Sequence, residues 1–501
     1  MLFRESSLAL YRILDFGPIL DSLCVSAEPQ LCTICRGVLQ HCNTHLETLC
    51  TQVSAQAFEY TDFKITFSIS IIAYLKRLLV IGMAEEELGK AFRYKQTKDR
   101  SVIDFKEVYK WIMSPLIAKR LNVPANLDGT FLIHVSFAQR EEGGGAFHEN
   151  TVIQGVQNEM ESFSGMLGKG AKWKAKQDWK HKKDNHANQS GAVKGAEQVI
   201  SSVSKLALPL LKELDVFKSQ EIAQIDLNTL MSVDCTMDNI LLYGRYVKLS
   251  REVSQTPWNL GTKRMHSVQA LISDNLLPIF GSKQAFLHAA GREDIDVRML
   301  GRGRPFVMEF VNPKKSLSCQ GQIEDKGLRK AINSSLVYCH EFKIVDKEFF
   351  DSLKDIEISK AKSYSCMVWV KRRITPQDCD KLSTLVSELH VQQTTPIRVL
   401  HRRSLAVREK VIHRLQATYI NQHYMHICLL ASAGTYIKEF VHGDLGRTTP
   451  SVGSLLESEA DILQLDVTNV YDSVQSVAEL PLSKLFEIEV VSDGEADDGE
   501  A

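Results

Sequence analysis

The pattern of apolar and polar positions divides the chain into two textures that change near residue 219. In the first, Phe63 to Ser70 alternates with the period of a half-buried strand, and Phe131 to Ala138 (FLIHVSFA) reads as a buried strand. Ala84 to Lys95 predicts a charged helix, and Phe105 to Leu121 another, bent or interrupted at Pro115 and stopped before Pro124. Val199 to Phe217 has amphipathic helical spacing that Pro209 must bend or end. Beyond Ser219, Leu227 to Val233 and Asn239 to Leu249 predict two strands joined by a turn at Cys235 to Asp238. Val307 to Val311, Ser365 to Val370 and Met425 to Leu430 are further strand candidates, while Val268 to Leu276 and Gln377 to Leu389 look helical. Alternating strands and helices imply an α/β or α+β domain. The organisation expected is a cysteine-rich segment (1–60), an accessory domain (61–218), a larger domain (219–488) and an acidic tail (489–501).

Composition changes this picture little. The chain has 501 residues, 44% hydrophobic and 24% charged, the usual balance of a globular protein. No apolar run is long enough to span a membrane; the best, Ile65 to Ile81, is broken by Lys76 and Arg77. The N-terminus has no clear signal-peptide pattern, so a nuclear or cytoplasmic location is expected. There the eleven cysteines are better read as thiols or metal ligands than as disulfides. Charge distribution says more than the net charge of -1. Lys169 to Lys183 holds seven lysines against one acid and interleaves them with Trp173 and Trp179; Arg398 to Arg414 holds five arginines and Lys410 against one acid. Lysine with indole suits RNA backbone and base stacking, though a solvated insertion reads the same way.

Chemistry concentrates in Gly291-Arg292-Glu293-Asp294-Ile295-Asp296-Val297-Arg298. Four arginines lie between Arg292 and Arg304, and a carboxylate among arginines stays ionised, as a nucleophile must. A surface ion-pair network would look the same in isolation. A second block, Ala433-Gly434-Thr435-Tyr436-Ile437-Lys438-Glu439-Phe440, accompanies it. Gly301-Arg302-Gly303-Arg304 lacks the strand–glycine–helix context of a phosphate loop.

Together the two blocks resemble the strongest motifs of pseudouridine synthases. Gly244 to Trp258, Gly291 to Asn312, Thr395 to His413 and Gly434 to Pro450 resemble, in order, the archaeal and eukaryotic tRNA synthases that act on uridines 54 and 55 of the TΨC arm, the Pus-ten class. The resemblance implies an α+β catalytic domain with a mixed, mainly antiparallel sheet, preceded by a smaller α/β, THUMP-like accessory domain that binds RNA. It implies an isomerase that flips the target uridine and attacks it with Asp294. Lys438 would pair with Asp294, in a position where several relatives carry arginine, and Tyr364 would lie against the flipped base. Ile437 and Leu465 are candidates for the apolar wall of the pocket, with a plain core role equally open. Arg292 would position a phosphate or the aspartate loop, and Arg398, Arg402, Arg403 and Arg408 would grip the RNA, since guanidinium forks match phosphate oxygens.

The partners implied are tRNA and other RNAs, bound by a monomer. No membrane and no nucleotide cofactor are expected, and none is needed for the chemistry. The alternative is a non-catalytic RNA-binding protein that retains the fold. The class also carries two Cys-x-x-Cys pairs that hold zinc. Here Cys32 and Cys35 form one pair, a second is missing, and Cys24, His41, Cys42, His45 and Cys50 are nearby substitutes. Ordinary thiols are the other reading of Cys32 and Cys35.

Overall fold

The structure, a computed structural model, describes residues 38–39, 42–69, 105–138, 230–257, 259–260, 263–264, 266–316, 332–358, 361–471, 481 and 484. It divides into two compact units, 1–236 and 237–501. The expected boundary near 219 lies outside the described residues, as do the helices expected at 84–95 and 199–217.

In the first unit, helix α1 (Cys42–Ala55), strand β1 (Lys64–Ile69), helix α2 (Phe105–Leu121), strand β2 (Phe131–Ala138) and strand β3 (Leu230–Met237) follow in chain order. The sheet order is β1-β2-β3, with β1 and β2 parallel. Buried Phe131, Ile133, Val135 and Phe137 alternate along β2 as the sequence pattern predicts. Tyr109 of α2 packs against Phe67 and Phe137 with ring centroids 4.8 and 6.0 Å apart. Pro115 sits inside α2 without ending it. The turn expected at Cys235 to Asp238 is not there. Val233, Cys235 and Met237 are buried between exposed Asp234, Thr236 and Asp238, so the period of two carries β3 through to Met237.

The second unit is built on a ten-stranded sheet. Its strands are β4 (Ile240–Lys248), β7 (Gln284–Ala289), β8 (Val297–Val311), β9 (Val337–Val345), β10 (Ala361–Val370), β11 (Ser387–Thr394), β12 (Val407–Asn421), β13 (Tyr424–Ser432), β14 (Thr448–Thr449) and β15 (Ala460–Tyr471); β5 (Asn259–Leu260) and β6 (Lys263–Arg264) form a separate two-stranded pair. The order is β14-β11-β12-β13-β10-β15-β8-β4-β9, with β7 beside β8. Pairing is antiparallel except β15 with β8, where Leu465 lies opposite Val297. The mixed, mainly antiparallel sheet and the smaller α/β unit that precedes it are thus both present. β4 pairs with β8 and β9, so it is not the second arm of a hairpin with β3.

Helix α3 (Val268–Phe280) begins where the Ser267 side chain accepts from the Ala270 amide and ends at left-handed Gly281. Helix α4 (Lys347–Ile358) follows β9. The helix expected from Gln377 to Leu389 is α5 (Pro376–Leu385), opened by a Thr375–Asp378 capping box. Ser387 to Leu389 belong to β11, because the alternation resumes there and continues to Thr394. β8 bends at Gly301 (φ +59), where a Cβ would overlap the Thr468 carbonyl of β15. The Gly301–Arg304 run is therefore part of the strand, with Gly301 and Gly303 at positive φ where neighbouring backbone approaches closely. Helices α6 (Ile437–His442) and α7 (Val452–Leu455) complete the unit. Among the described residues no helix is long and apolar enough to cross a membrane.

Candidate active site

Three loops meet over the parallel β8–β15 junction: residues 290–296 between β7 and β8, residues 395–406 between β11 and β12, and the turn at 433–436 that leads into α6. Between them lies a cleft of 790 Å³. Arg292, Asp294, Tyr364, Arg398, Arg402, Arg403, Arg408, Ile437, Lys438 and Leu465 all line it, so one cleft collects every residue singled out from the sequence for catalysis or substrate binding.

The 290–296 loop is fixed from below by buried polar groups. Glu293 and Arg304 are almost wholly buried, and Arg304 Nε donates to Glu293 Oε2 at 2.8 Å while its Nη1 donates to the Ala290 carbonyl at 2.7 Å. The Tyr246 hydroxyl donates to the same carboxylate, at 2.8 and 3.0 Å. Gln255 Nε2 donates to the Tyr246 oxygen and to the Gly291 carbonyl, each at 2.9 Å. Burial and the neighbouring Glu293 push the Tyr246 phenol well above its usual range, which keeps it a donor.

Lys248 is fully buried, and its Nζ donates to the carbonyls of Val253, Asp294 and Ile295 at 3.0, 3.2 and 2.7 Å. Three neutral acceptors hold the ammonium in place, and the ammonium holds the backbone of Asp294. Burial lowers this lysine from 10.5 to about 8, although the charges of Glu293 and Asp296 work the other way. The folded state therefore gives up this proton before the unfolded chain does. Between pH 8 and 10.5 the group adds stability as pH rises. Over the same range the neutral amine has only two N–H donors for three carbonyls, and the loop loosens. The isomerisation rate is expected to fall above about pH 8 without a parallel fall in melting temperature, given that lowered pKa. A rate that stays flat across the range rules this titration out.

Asp294 stands 31% exposed at the edge of the cleft. Arg398 Nη1 donates to its Oδ2 at 2.7 Å, and Lys438 Nζ lies 3.5 Å from the same oxygen. The pairing with Lys438 is present but secondary, because Lys438 directs its hydrogen bonds to Asp296, at 2.6 and 2.8 Å. Burial alone would raise the Asp296 carboxyl; the hydrogen bond and charge of Lys438 bring it below its ordinary value. Lys438 reaches both carboxylates from the first turn of α6. That turn is seated by Gln393, whose amide exchanges two 2.9 Å bonds with the Tyr436 backbone. Just before it, Gly434 (φ +73) leaves room for Lys410, which donates to the Ala433 carbonyl at 2.7 Å and sits 3.3 Å from where a Cβ would stand.

Tyr364 is 7% exposed and lines the cleft from β10, opposite Val467 of β15. Burial pushes its phenol up to about 12, so it presents a neutral ring. Ile437 and Leu465 are 3% and 7% exposed; both line the cleft and belong to the core, so the two roles considered for them coincide. Arg402 and Arg403 are exposed, whereas Arg408 donates to the Thr395 hydroxyl at 2.9 Å. Lys362 and Lys410 also line the cleft; Lys410 was counted in the basic segment without a role of its own, and Lys362 was not singled out from the sequence. Lys362 was legible in principle, two residues before Tyr364 and so on the same face of β10. In all, nine cationic side chains face the cleft against two acids, Glu293 and Asp294.

Cys32 and Cys35 lie outside the described residues, as do Trp173, Trp179 and the lysines around them. Of the substitutes considered for the metal, Cys42, His45 and Cys50 are buried on α1. Burial pushes the Cys42 thiol up to about 11 and raises Cys50 as well. His45 packs against the ring of Phe137 at 4.8 Å. Among the described residues no group of three His, Cys, Asp or Glu side chains is placed to hold a metal ion.

A mixed sheet that brings a Gly-Arg-x-Asp loop, a tyrosine strand and a Gly-Thr-Tyr helix start into one cationic cleft defines a pseudouridine synthase, an isomerase that acts on RNA. Residues 241–471 match the family described as "Pus10, C-terminal", and residues 32–159 match "Eukaryotic Pus10, N-terminal". The chain is 34% identical over 451 residues to the tRNA pseudouridine synthase Pus10 of Mus musculus, covering 88% of this chain and 78% of that protein. It is 36% identical over 240 residues to that of Thermofilum pendens, covering 47% of this chain and 53% of that protein. Among solved structures, a Cbf5-Nop10-Gar1 complex matches 45% of this chain and 48% of its own, at 13% identity and a TM-score of 0.26. The chain belongs to the Pus10 family of tRNA pseudouridine synthases.

Proposed function

We propose that this protein converts uridine to pseudouridine at positions 54, 55 or both in the TΨC arm of tRNA, with the target nucleotide flipped out and Asp294 as nucleophile. The observation that carries the reading is the state of the Asp294 carboxylate. The hydrogen bond from Arg398 and the 3.5 Å approach of Lys438 both fall on Oδ2, so Oδ1 is the oxygen assigned to the attack. Flipping the uridine costs a few kcal/mol, offset by contact with the neutral Tyr364 ring and the apolar Ile437 and Leu465. Attack at C1′ of the ribose or C6 of the base then leads to the same exchange. The C1′–N1 bond breaks, the held uracil turns, C5 bonds to C1′, the bond to Asp294 breaks and restores its carboxylate, and the proton lost from C5 is balanced by one gained at N1. Nothing is oxidised and no group leaves, so the demand on the protein is to orient a detached base.

The test is incubation with an unmodified tRNA transcript followed by chemical detection of pseudouridine at each position. Tight binding with no pseudouridine anywhere would instead identify an RNA-binding protein that retains the fold.

The grip on RNA has its own expected outcome. Arg402 and Arg403 project into solvent beside the cleft, and their amides close a turn by donating to the Val399 carbonyl at 3.1 and 3.0 Å. Replacing both with Ala is expected to weaken tRNA binding and flatten its salt dependence. The log–log slope should drop by about 0.7 to 0.9 for each phosphate that is no longer neutralised. An unchanged slope means that neither arginine touches the backbone.

A further inference from the structure

We infer that Arg398, rather than Lys438, is the residue that positions the nucleophilic carboxylate, and that it couples the RNA-gripping loop to the chemistry. The inference rests on the reading of Asp294 as nucleophile. Arg398 makes the shortest contact to Asp294, 2.7 Å from Nη1 to Oδ2. Its other edge is held independently: Nε donates to Glu439 Oε1 at 2.7 Å and Nη2 lies 3.4 Å from Oε2. Glu439 is 1% exposed, so this anchor is rigid and shielded from solvent. A planar guanidinium can bridge two carboxylates in this way with its orientation fixed, whereas an ammonium cannot. The Tyr436 ring, 5.9 Å from the guanidinium carbon, borders the same group.

Lys438 is differently placed. Its two hydrogen bonds go to Asp296, a 58% exposed carboxylate, and it reaches Asp294 only at 3.5 Å. The arginine that the Gly-Thr-Tyr motif lacks in this chain has thus been supplied from another loop. That loop is the one that carries Arg402 and Arg403. Arg398 lies in the single turn Ile397–Val399, whose last carbonyl receives the Arg402 and Arg403 amides. The turn is tied down by Ile397 N to Asp444 Oδ2 at 3.2 Å and by the Thr395 hydroxyl, which donates to the Ser404 carbonyl at 2.8 Å. A phosphate that draws on Arg402 or Arg403 therefore pulls on the same three residues that set the Asp294 carboxylate.

Single-turnover rates at saturating enzyme, measured with tRNA affinity at one salt concentration, separate this role from an RNA contact. Arg398→Ala is expected to lose about 100-fold in rate, the scale of a misplaced reacting group, with affinity within a few fold of wild type. Guanidinium ion added to Arg398→Ala should restore part of the rate, and should restore none in Asp294→Asn. Lys438→Gln, which leaves the Arg398 contact intact, should lose less than Arg398→Ala. An unchanged rate with weakened binding, a guanidinium-insensitive defect, or a larger loss in Lys438→Gln would each overturn the assignment. Should Arg398→Ala fail to fold, Arg398→Lys carries the test: it keeps the charge and loses the bridge, so a lowered rate at unchanged affinity supports the role and an unchanged rate overturns it. Failure of the underlying reading looks different, because Asp294→Asn would then remain active whatever Arg398 does.

Discussion

Asp294→Asn is expected to abolish isomerisation, with a loss on the order of 10⁴-fold or more, as when the nucleophile of a covalent mechanism is removed. Affinity for tRNA should stay within a few fold, since the amide keeps the shape of the side chain and the cleft keeps all nine cations. Asp296→Asn is the informative control, because it removes a carboxylate two residues away in the same loop. Asp296 is more exposed; Arg251 holds its backbone carbonyl at 3.0 Å, but its carboxylate is paired with Lys438, so removing that carboxylate frees Lys438 to move the short distance to Asp294. The rate should fall modestly or not at all. An inactive Asp296 variant beside an active Asp294 variant would reverse the assignment and, with it, the geometry argued for the attacking oxygen.

The sequence made Asp294 legible because its neighbours in the chain announce it: a glycine before, arginines on both sides, and a matching second block far downstream. The same reading hid what holds Asp294 in place. Glu293 passes for the free position of the motif, yet it is the buried anchor of the loop, because its partners Arg304 and Tyr246 come from separate segments. Lys248 looks like an ordinary polar residue at a strand end. Its three acceptors are backbone carbonyls, two of them more than 40 residues away, and carbonyls carry no sequence signature. Arg398 was visible as a cation near RNA but not as the partner of a carboxylate 104 residues before it. Elements followed the same division. Strands with strict alternation, such as β2, were found to the residue, whereas β9 and β15 escaped because one sits at a sheet edge and the other mixes polar groups into a buried face. Pattern reports the faces of local elements; the site depends on which distant elements meet.

The buried Glu293–Arg304 pair is expected to produce the largest stability effect in the catalytic unit. Glu293→Gln leaves the Arg304 guanidinium in the core without its counter-charge. Burial works to lower the Arg304 pKa, and only Glu293 and its neighbours keep it raised. Breaking one side of such a pair costs about 3 to 5 kcal/mol, which should appear as a clear drop in the denaturation midpoint. Arg304→Met should cost a similar amount, because it strands the carboxylate and frees the Ala290 carbonyl that Arg304 Nη1 caps. The double variant Glu293→Gln/Arg304→Met removes both charges, so it should be more stable than the sum of the two single changes predicts. Its activity should not recover with its stability, because two of the groups that aim the 290–294 loop are gone. A double variant that regains full rate would mean that the pair serves only to fill the core, and that Lys248 and Gln255 suffice to set the loop. Strict additivity of the two stability losses would mean that the charges do not see each other at 2.8 Å, which the geometry forbids.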